Sequence, residues 1–299
     1  MSYRGRFAPS PTGPLHFGSL VAAAGSFLDA RHHRGEWLLR MEDLDPPREV
    51  AGASDDILRT LQQLGLSWDG PVVYQSTRHH LYEEALESLR QKGHLFDCGC
   101  SRKEIADSAV PGEATPVYPG TCRNGLAPGR SPRSVRVRSQ AIEISVHDRL
   151  QPAFSQQLES AVGDFIVHRA DGLFSYQLAV VTDDAEQRIS HVVRGADLLD
   201  STPRQIYLQQ LLGLPVPAYL HLPVAVNTEA HKLSKQTHAR PVDTRNGTEV
   251  VIDVLCYLHQ SLPESPRDAS LDELWQWAIE HWDETAIPAQ HSLAAPAAY

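Results

Sequence analysis

Two short segments, more than two hundred residues apart, carry side chains suited to phosphate chemistry. The first is Pro9-Ser-Pro-Thr-Gly-Pro-Leu-His16-Phe-Gly18-Ser19. Its prolines stiffen a loop, and Gly18 withholds a side chain where a ligand must approach the backbone. A helix starting there would offer free N–H groups and a positive end to phosphate oxygens, with His16 as a further donor. The second is His231-Lys232-Leu-Ser234-Lys235-Gln236, two lysines bracketing a serine. Lysines so placed can neutralise charge developing on a departing pyrophosphate. Either segment alone occurs readily by chance; the pair, in this order, carries the signal.

A third group is Cys98-x-Cys100 with Cys122 further on. Zinc takes four tetrahedral ligands and favours thiolates in structural sites. Three cysteines leave one position open, for which His94, Asp107 and Glu113 compete; three unliganded thiols are the alternative. Arg123, Arg130, Arg133, Arg136 and Arg138 follow, with no acidic residue before Glu143. Guanidinium planes can stack on unpaired bases while their edges pair with phosphates, so this is the candidate RNA patch, a solvated hairpin being the alternative. The fourth cysteine, Cys256, lies in Val250-Val-Ile-Asp-Val-Leu-Cys-Tyr-Leu and is expected inside a helix core.

These residues need a scaffold. The 299 residues are 41% apolar and 21% charged, which excludes a disordered or fibrous chain. The net charge of −10 is uneven: residues 248–299 carry −8 and the rest only −2. Binding to nucleic acid must therefore use a local patch. Four cysteines are too few for a disulfide scaffold. No apolar run approaches the ~20 residues of a membrane span, and the N-terminus lacks a leader's apolar stretch. A cytoplasmic protein without membrane contact is expected.

Strand-like runs ending at Ala8, over Trp37–Met41 and over Val72–Tyr74 alternate with helical patterns. These are Phe17–Arg31, the stretch bearing Ile57, Leu58, Leu61 and Leu64, and that bearing Leu81, Ala85, Leu86 and Leu89. Such alternation predicts an α/β fold with a parallel, doubly wound sheet. Residues 1–97 form its first half. An insertion over 98–150, dense in Gly and Pro, has antiparallel patterning in Val135–Arg138 and Ile142–Val146. The parallel alternation resumes over 151–240, beginning with Phe165–His168. Residues 241–299 form a helical tail with Leu271, Leu274, Trp275 and Ile279 inward.

Together the two phosphate segments resemble the His-Ile-Gly-His and Lys-Met-Ser-Lys-Ser signatures of class I aminoacyl-tRNA synthetases, departing from them at Ser19 and Gln236. The opening from Arg6 to His16, Arg40-Met-Glu42-Asp43-Leu-Asp45, the run from Asp171 through Tyr176 to Asp184, and His191-Val-Val-Arg194-Gly-Ala-Asp197 resemble the glutamyl branch. The resemblance implies a Rossmann-like sheet split by a small zinc-binding insertion. It implies His16 and Lys235 as catalytic residues, and His16, Gly18, Ser19, Lys232 and Lys235 around ATP with magnesium. Arg6, Phe7, Ala8, Pro9, Ser10, Glu42, Tyr176 and Arg194 become the glutamate-binding candidates. Arg6 and Arg194 suit a carboxylate, Glu42 the ammonium, and Ser10 and Tyr176 neutral hydrogen bonds. The family's pattern adds Tyr118 to Cys98, Cys100 and Cys122 as the fourth ligand of one structural zinc.

Only 63 residues follow Gln236, too few for the anticodon-reading domain of an ordinary glutamyl-tRNA synthetase. The glutamyl-Q tRNA(Asp) synthetases end in this way. That resemblance implies activation of L-glutamate by ATP and its transfer to queuosine in the anticodon loop of aspartate tRNA, by a monomer. A shortened synthetase charging a tRNA 3′ end and a non-catalytic, zinc-dependent tRNA-binding module are the competing expectations.

Overall fold

The computed structural model describes residues 2–108, 117–227, 229–233 and 240–299, the side chain of residue 107 apart. β1 (Arg4–Phe7), β2 (Glu36–Met41) and β3 (Val73–Tyr74) pair in parallel, with Arg6 opposite Leu38 and Arg40 opposite Val73. On the other side of β1 runs β9 (His191–Gly195), where the Ser190 N–H donates to the Arg4 carbonyl. β9 pairs in parallel with β10 (Ala218–Leu222). The spatial order is thus β3-β2-β1-β9-β10, and the winding reverses between β1 and β9. In open α/β sheets the ligand crevice lies at that reversal, beyond the carboxyl ends of the strands. The expected parallel sheet is present.

The β1–β2 crossover is α1 (Phe17–His32), buried on nearly every side. It can be, because Ala23, Ala24 and Gly25 let it approach the sheet closely. A Cβ at Gly25 would strike the Leu222 side chain at 2.5 Å. The outer side of α1 is covered by the tail helices α8 (Gly247–Tyr257) and α9 (Leu271–Glu280). A capping box of Ser270 and Glu273 starts α9, and Leu274 and Trp275 face inward as their spacing predicts. The Trp275 indole donates to the Leu64 carbonyl at 2.7 Å and meets the Phe27 ring edge-on. Each such buried side chain contributes about 1.5–3 kcal/mol. Asp29 of α1, fully buried, accepts both Arg149 Nη atoms at 2.6 and 2.9 Å and the Trp282 indole at 3.2 Å, fastening tail to sheet domain.

An antiparallel region wider than the expected 98–150 insertion contains β4 (Leu95–Cys98), β5 (Ser134–Val137) and β8 (Ile166–His168) in one sheet, beside the hairpin β6 (Glu143–Val146) and β7 (Phe154–Gln157). β8 corrects the sequence reading. Its apolar run was expected to resume the parallel alternation, but periodicity cannot name a partner, and it pairs antiparallel with β5. Cys256 is a second correction: Val250, Val251, Val254 and Leu255 form the buried stripe of α8, and Cys256 is exposed. Among the described residues no helix is long and apolar enough to cross a membrane.

Candidate active site

A cavity of about 590 Å³ opens beyond the carboxyl ends of β1 and β9, where the winding reverses. Arg6, Phe7, Ala8, Pro9, Ser10, His16, Gly18, Ser19, Glu42, Tyr176, Arg194 and Lys232 all line it. These are the described members of the glutamate- and ATP-binding sets. Ser234, Lys235 and Gln236 lie outside the described residues.

The floor is built from buried charge. The Arg6 guanidinium, 3% exposed, donates to both Asp184 oxygens at 3.2 and 3.4 Å from α6 (Tyr176–Glu186). Arg40, fully buried, reaches the same carboxylate at 2.8 Å, Glu42 at 3.4 Å and the Gln187 amide oxygen at 2.7 Å. Buried ions persist only when so paired. Burial opposes ionisation of Asp184, but Arg6 and Arg40 overcome it and hold its carboxyl below the ordinary range. Glu42 goes the other way: burial outweighs its arginine neighbours and raises it. A buried carboxylate of this kind is receptive to an incoming cation.

Arg194, at the end of β9, lines the same cavity as Arg6. Its Nε donates to His221 Nε2 at 3.0 Å, Nη1 to the Tyr176 hydroxyl at 3.3 Å, and Nη2 to Thr202 Oγ1 at 2.9 Å and the Leu198 carbonyl at 3.4 Å. These four bonds fix the plane of the fork and leave one Nη1 hydrogen uncommitted among the described contacts.

His16 caps α1, taking the Ser19 N–H on Nδ1 at 3.3 Å, while Ser19 Oγ lies 3.0 Å from Nε2. Ser19 thereby holds the imidazole at the helix's positive end. A Cβ on Gly18 would make only ordinary contacts, 3.4 Å from that ring and 3.6 Å from Ala225. Lys232 comes from the second segment and pairs with Asp197 at 2.5 Å. His16 and Pro241 form a bridge, bringing the flank of the lysine segment against the first loop. The two segments separated in sequence share one cavity.

Away from it, the Cys98, Cys100 and Cys122 sulfurs lie within 4.8 Å of one another, and Cys100 and Cys122 are 3.6 Å apart. The Tyr118 hydroxyl lies 3.5 Å from Cys98 Sγ and 3.7 Å from Cys100 Sγ, and accepts the Cys122 N–H at 2.8 Å. Around a tetrahedral ion with Zn–S bonds of ~2.3 Å, ligand atoms stand roughly 3.5–3.8 Å apart. The Cys98–Tyr118, Cys100–Tyr118 and Cys100–Cys122 separations fall in that range. Burial opposes ionisation of Cys98, but hydrogen bonds with Tyr118 and the Cys100 backbone, and the Arg136 guanidinium, bring its thiol down to about 7. His94 is not part of the cluster. Glu113 and the Asp107 side chain lie outside the described residues.

The arginine run does not form one open patch, which corrects the sequence reading. Arg123 pairs with Asp164 at 2.5 Å and Arg130 pairs with Glu104. Arg136 is buried, its guanidinium 4.0 Å above the Tyr118 ring and its Nη1 bonded to the Asp164 carbonyl at 2.7 Å. Arg138 is half-buried over Phe96, and Arg133 alone of the five is exposed without a described side-chain partner.

Sequence reasoning missed Asp148, Asp184 and His221 as supports of the arginines. A histidine inside the apolar strand Ala218–Leu222 was the one available signal.

Fold and cavity together define the catalytic domain of a class I synthetase, and residues 2–250 match the family described as tRNA synthetases class I (E and Q), catalytic domain. The chain is similar to the Glutamyl-Q tRNA(Asp) synthetase of Dechloromonas aromatica, 57% identical over 297 residues covering 99% of both chains. It is likewise similar to the protein of that name from Aromatoleum aromaticum, 54% identical over 99% of this chain and 94% of the relative. Its fold is shared with a glutamate tRNA ligase from Elizabethkingia meningosepticum solved with its amino acid. There the TM-score is 0.81 at 24% identity, covering 100% of this chain and 68% of that one. The chain belongs to the glutamyl-Q tRNA(Asp) synthetases.

Proposed function

We propose that this chain activates L-glutamate with ATP and transfers it to queuosine at the wobble position of aspartate tRNA. The observation that carries the reading is the single cavity holding guanidiniums, a receptive carboxylate and the His16 helix start together. Full-length relatives bearing the corresponding name support the acceptor. Arg6 and Arg194 hold the substrate's side-chain carboxylate, Glu42 its ammonium, and Tyr176 and Ser10 complete the pocket with Phe7, Ala8 and Pro9. An oxygen of the α-carboxylate attacks the α-phosphorus of ATP, and the bond to the pyrophosphate oxygen breaks. His16, Gly18 and Ser19 cradle phosphate at the start of α1, while Lys232 and Lys235 neutralise the departing charge. Magnesium bound with ATP supplies further neutralisation. A hydroxyl of queuosine's cyclopentene-diol then attacks the adenylate carbonyl and AMP leaves.

Cys98, Cys100, Tyr118 and Cys122 would hold one zinc, which would organise the insertion rather than take part in chemistry. The spacing of their ligand atoms supports this. The protein works as a cytoplasmic monomer on the anticodon loop. Offering labelled glutamate and ATP with aspartate tRNA that carries or lacks queuosine tests the proposal: label should enter the queuosine-bearing tRNA alone.

A further inference from the structure

His221 is fully buried in the wall behind Arg194 and does not itself line the cavity. Its Nε2 accepts the Arg194 Nε–H at 3.0 Å and its Nδ1 lies 2.6 Å from Asp148 Oδ2, itself fully buried. The other Asp148 oxygen accepts three backbone N–H groups, from Leu150 at 3.0 Å, Gln151 at 2.8 Å and His221 at 3.2 Å. Tyr219 stacks on the imidazole and also lies under the Arg194 guanidinium.

We infer that Asp148 and His221 are positioning residues that set the Arg194 fork for the substrate carboxylate, by locking the imidazole in the Nδ1–H tautomer. This rests on Arg194 binding the amino acid, as proposed above. Nε of Arg194 can only donate, so the nitrogen facing it must carry a lone pair, and the proton must sit on Nδ1. A carboxylate facing Nδ1 enforces that arrangement, as it does for other buried imidazoles with a fixed partner. The doubly protonated ring would present a donor and a positive charge to the guanidinium, so it is excluded while the contact stands. With Thr202 and Leu198 holding Nη2, the His221 contact removes the remaining freedom of the fork to rotate in its plane.

The arrangement makes Asp148→Asn a sharp perturbation despite its nearly unchanged shape. Three backbone donors hold the Oδ1 position, so the amide oxygen of the variant stays there and its NH2 faces His221 Nδ1. The imidazole proton must then move to Nε2, head-on to the Arg194 Nε–H. Asp148→Asn should raise the KM for glutamate about tenfold or more, as expected when a charge-assisted contact is misplaced. The KM for ATP should stay at its wild-type value in pyrophosphate exchange. His221→Ala should weaken glutamate in the same way. The double variant should be no worse than His221→Ala, because without the imidazole the introduced amide has nothing to misdirect. Wild-type glutamate KM in Asp148→Asn, multiplying losses in the double variant, or equal losses for both substrates would each overturn the relay. Arg194→Ala separates the two levels. If it leaves glutamate binding unchanged, the pocket assignment fails; if it weakens glutamate while Asp148→Asn does not, the relay alone fails. Nitrogen NMR of the histidine-labelled wild-type protein needs no variant to fold. It should find the His221 proton on Nδ1, and a proton on Nε2 would refute the inference.

Discussion

Replacing Arg194 with alanine should cost glutamate activation far more than ATP binding. The guanidinium is 5% exposed and held by His221, Tyr176, Thr202 and the Leu198 carbonyl, with one Nη1 hydrogen left for a ligand. A charge-assisted hydrogen bond of this kind is worth about 1.5–3 kcal/mol. At 1.4 kcal/mol per decade that is roughly a 10- to 150-fold rise in the KM for glutamate. The lysine variant keeps the charge but cannot serve four protein acceptors and a carboxylate from one planar fork, so it should recover little. Pyrophosphate exchange at sub-saturating glutamate reads the loss directly, and equilibrium ATP binding provides the control. Exchange at the wild-type rate in Arg194→Ala would remove this residue from the amino-acid pocket. Parallel loss of ATP and glutamate would show that the change had damaged the fold instead.

Protein purified without chelator should carry one zinc per chain, lost in Cys122→Ser; metal analysis finding none in the wild type would refute the site. Burial raises the Glu42 carboxyl, and only its ionised form accepts an ammonium. kcat/KM for glutamate should therefore be full above that raised value and fall as pH drops through it, at a pH above the ordinary ~4.3 of a glutamate side chain. A limb at the ordinary position, or one surviving in Glu42→Gln, would contradict this. Arg136→Ala should lower the melting temperature through loss of the Tyr118 stack and the Asp164 bond, on the order of 1–3 kcal/mol, and leave the salt slope of tRNA binding unchanged. Arg133→Ala should do the reverse, reducing that slope by roughly 0.7 per lost phosphate contact on a single-stranded loop. A common response of both variants would show that the two arginines share one role.

The motifs that were legible are local. A proline-rich loop, a helix start and the end of a strand each keep their chemistry within a dozen residues, and each landed on the cavity. Partnerships across the fold were not legible. Arg6 meets Asp184 at a separation of 178 residues, His221 meets Asp148 at 73, and no spacing rule connects them. The arginine run failed for the same reason. It looked like free charge because the counter-ion of Arg123, Asp164, lies 41 residues further on. Cys256 was misplaced because α8 is apolar around most of its circumference, so composition hid which stripe faces the core.

The proposed acceptor is queuosine rather than a terminal ribose. This is tested most directly by giving the protein labelled glutamate and ATP with aspartate tRNA whose 3′ end has been removed, prepared from cells that make queuosine and from cells that do not. Label should enter only the queuosine-bearing tRNA, and an isolated anticodon stem-loop with the same base should accept it as well. Label that disappears with the 3′ end, or that enters unmodified glutamate tRNA, would make the terminal ribose the acceptor instead.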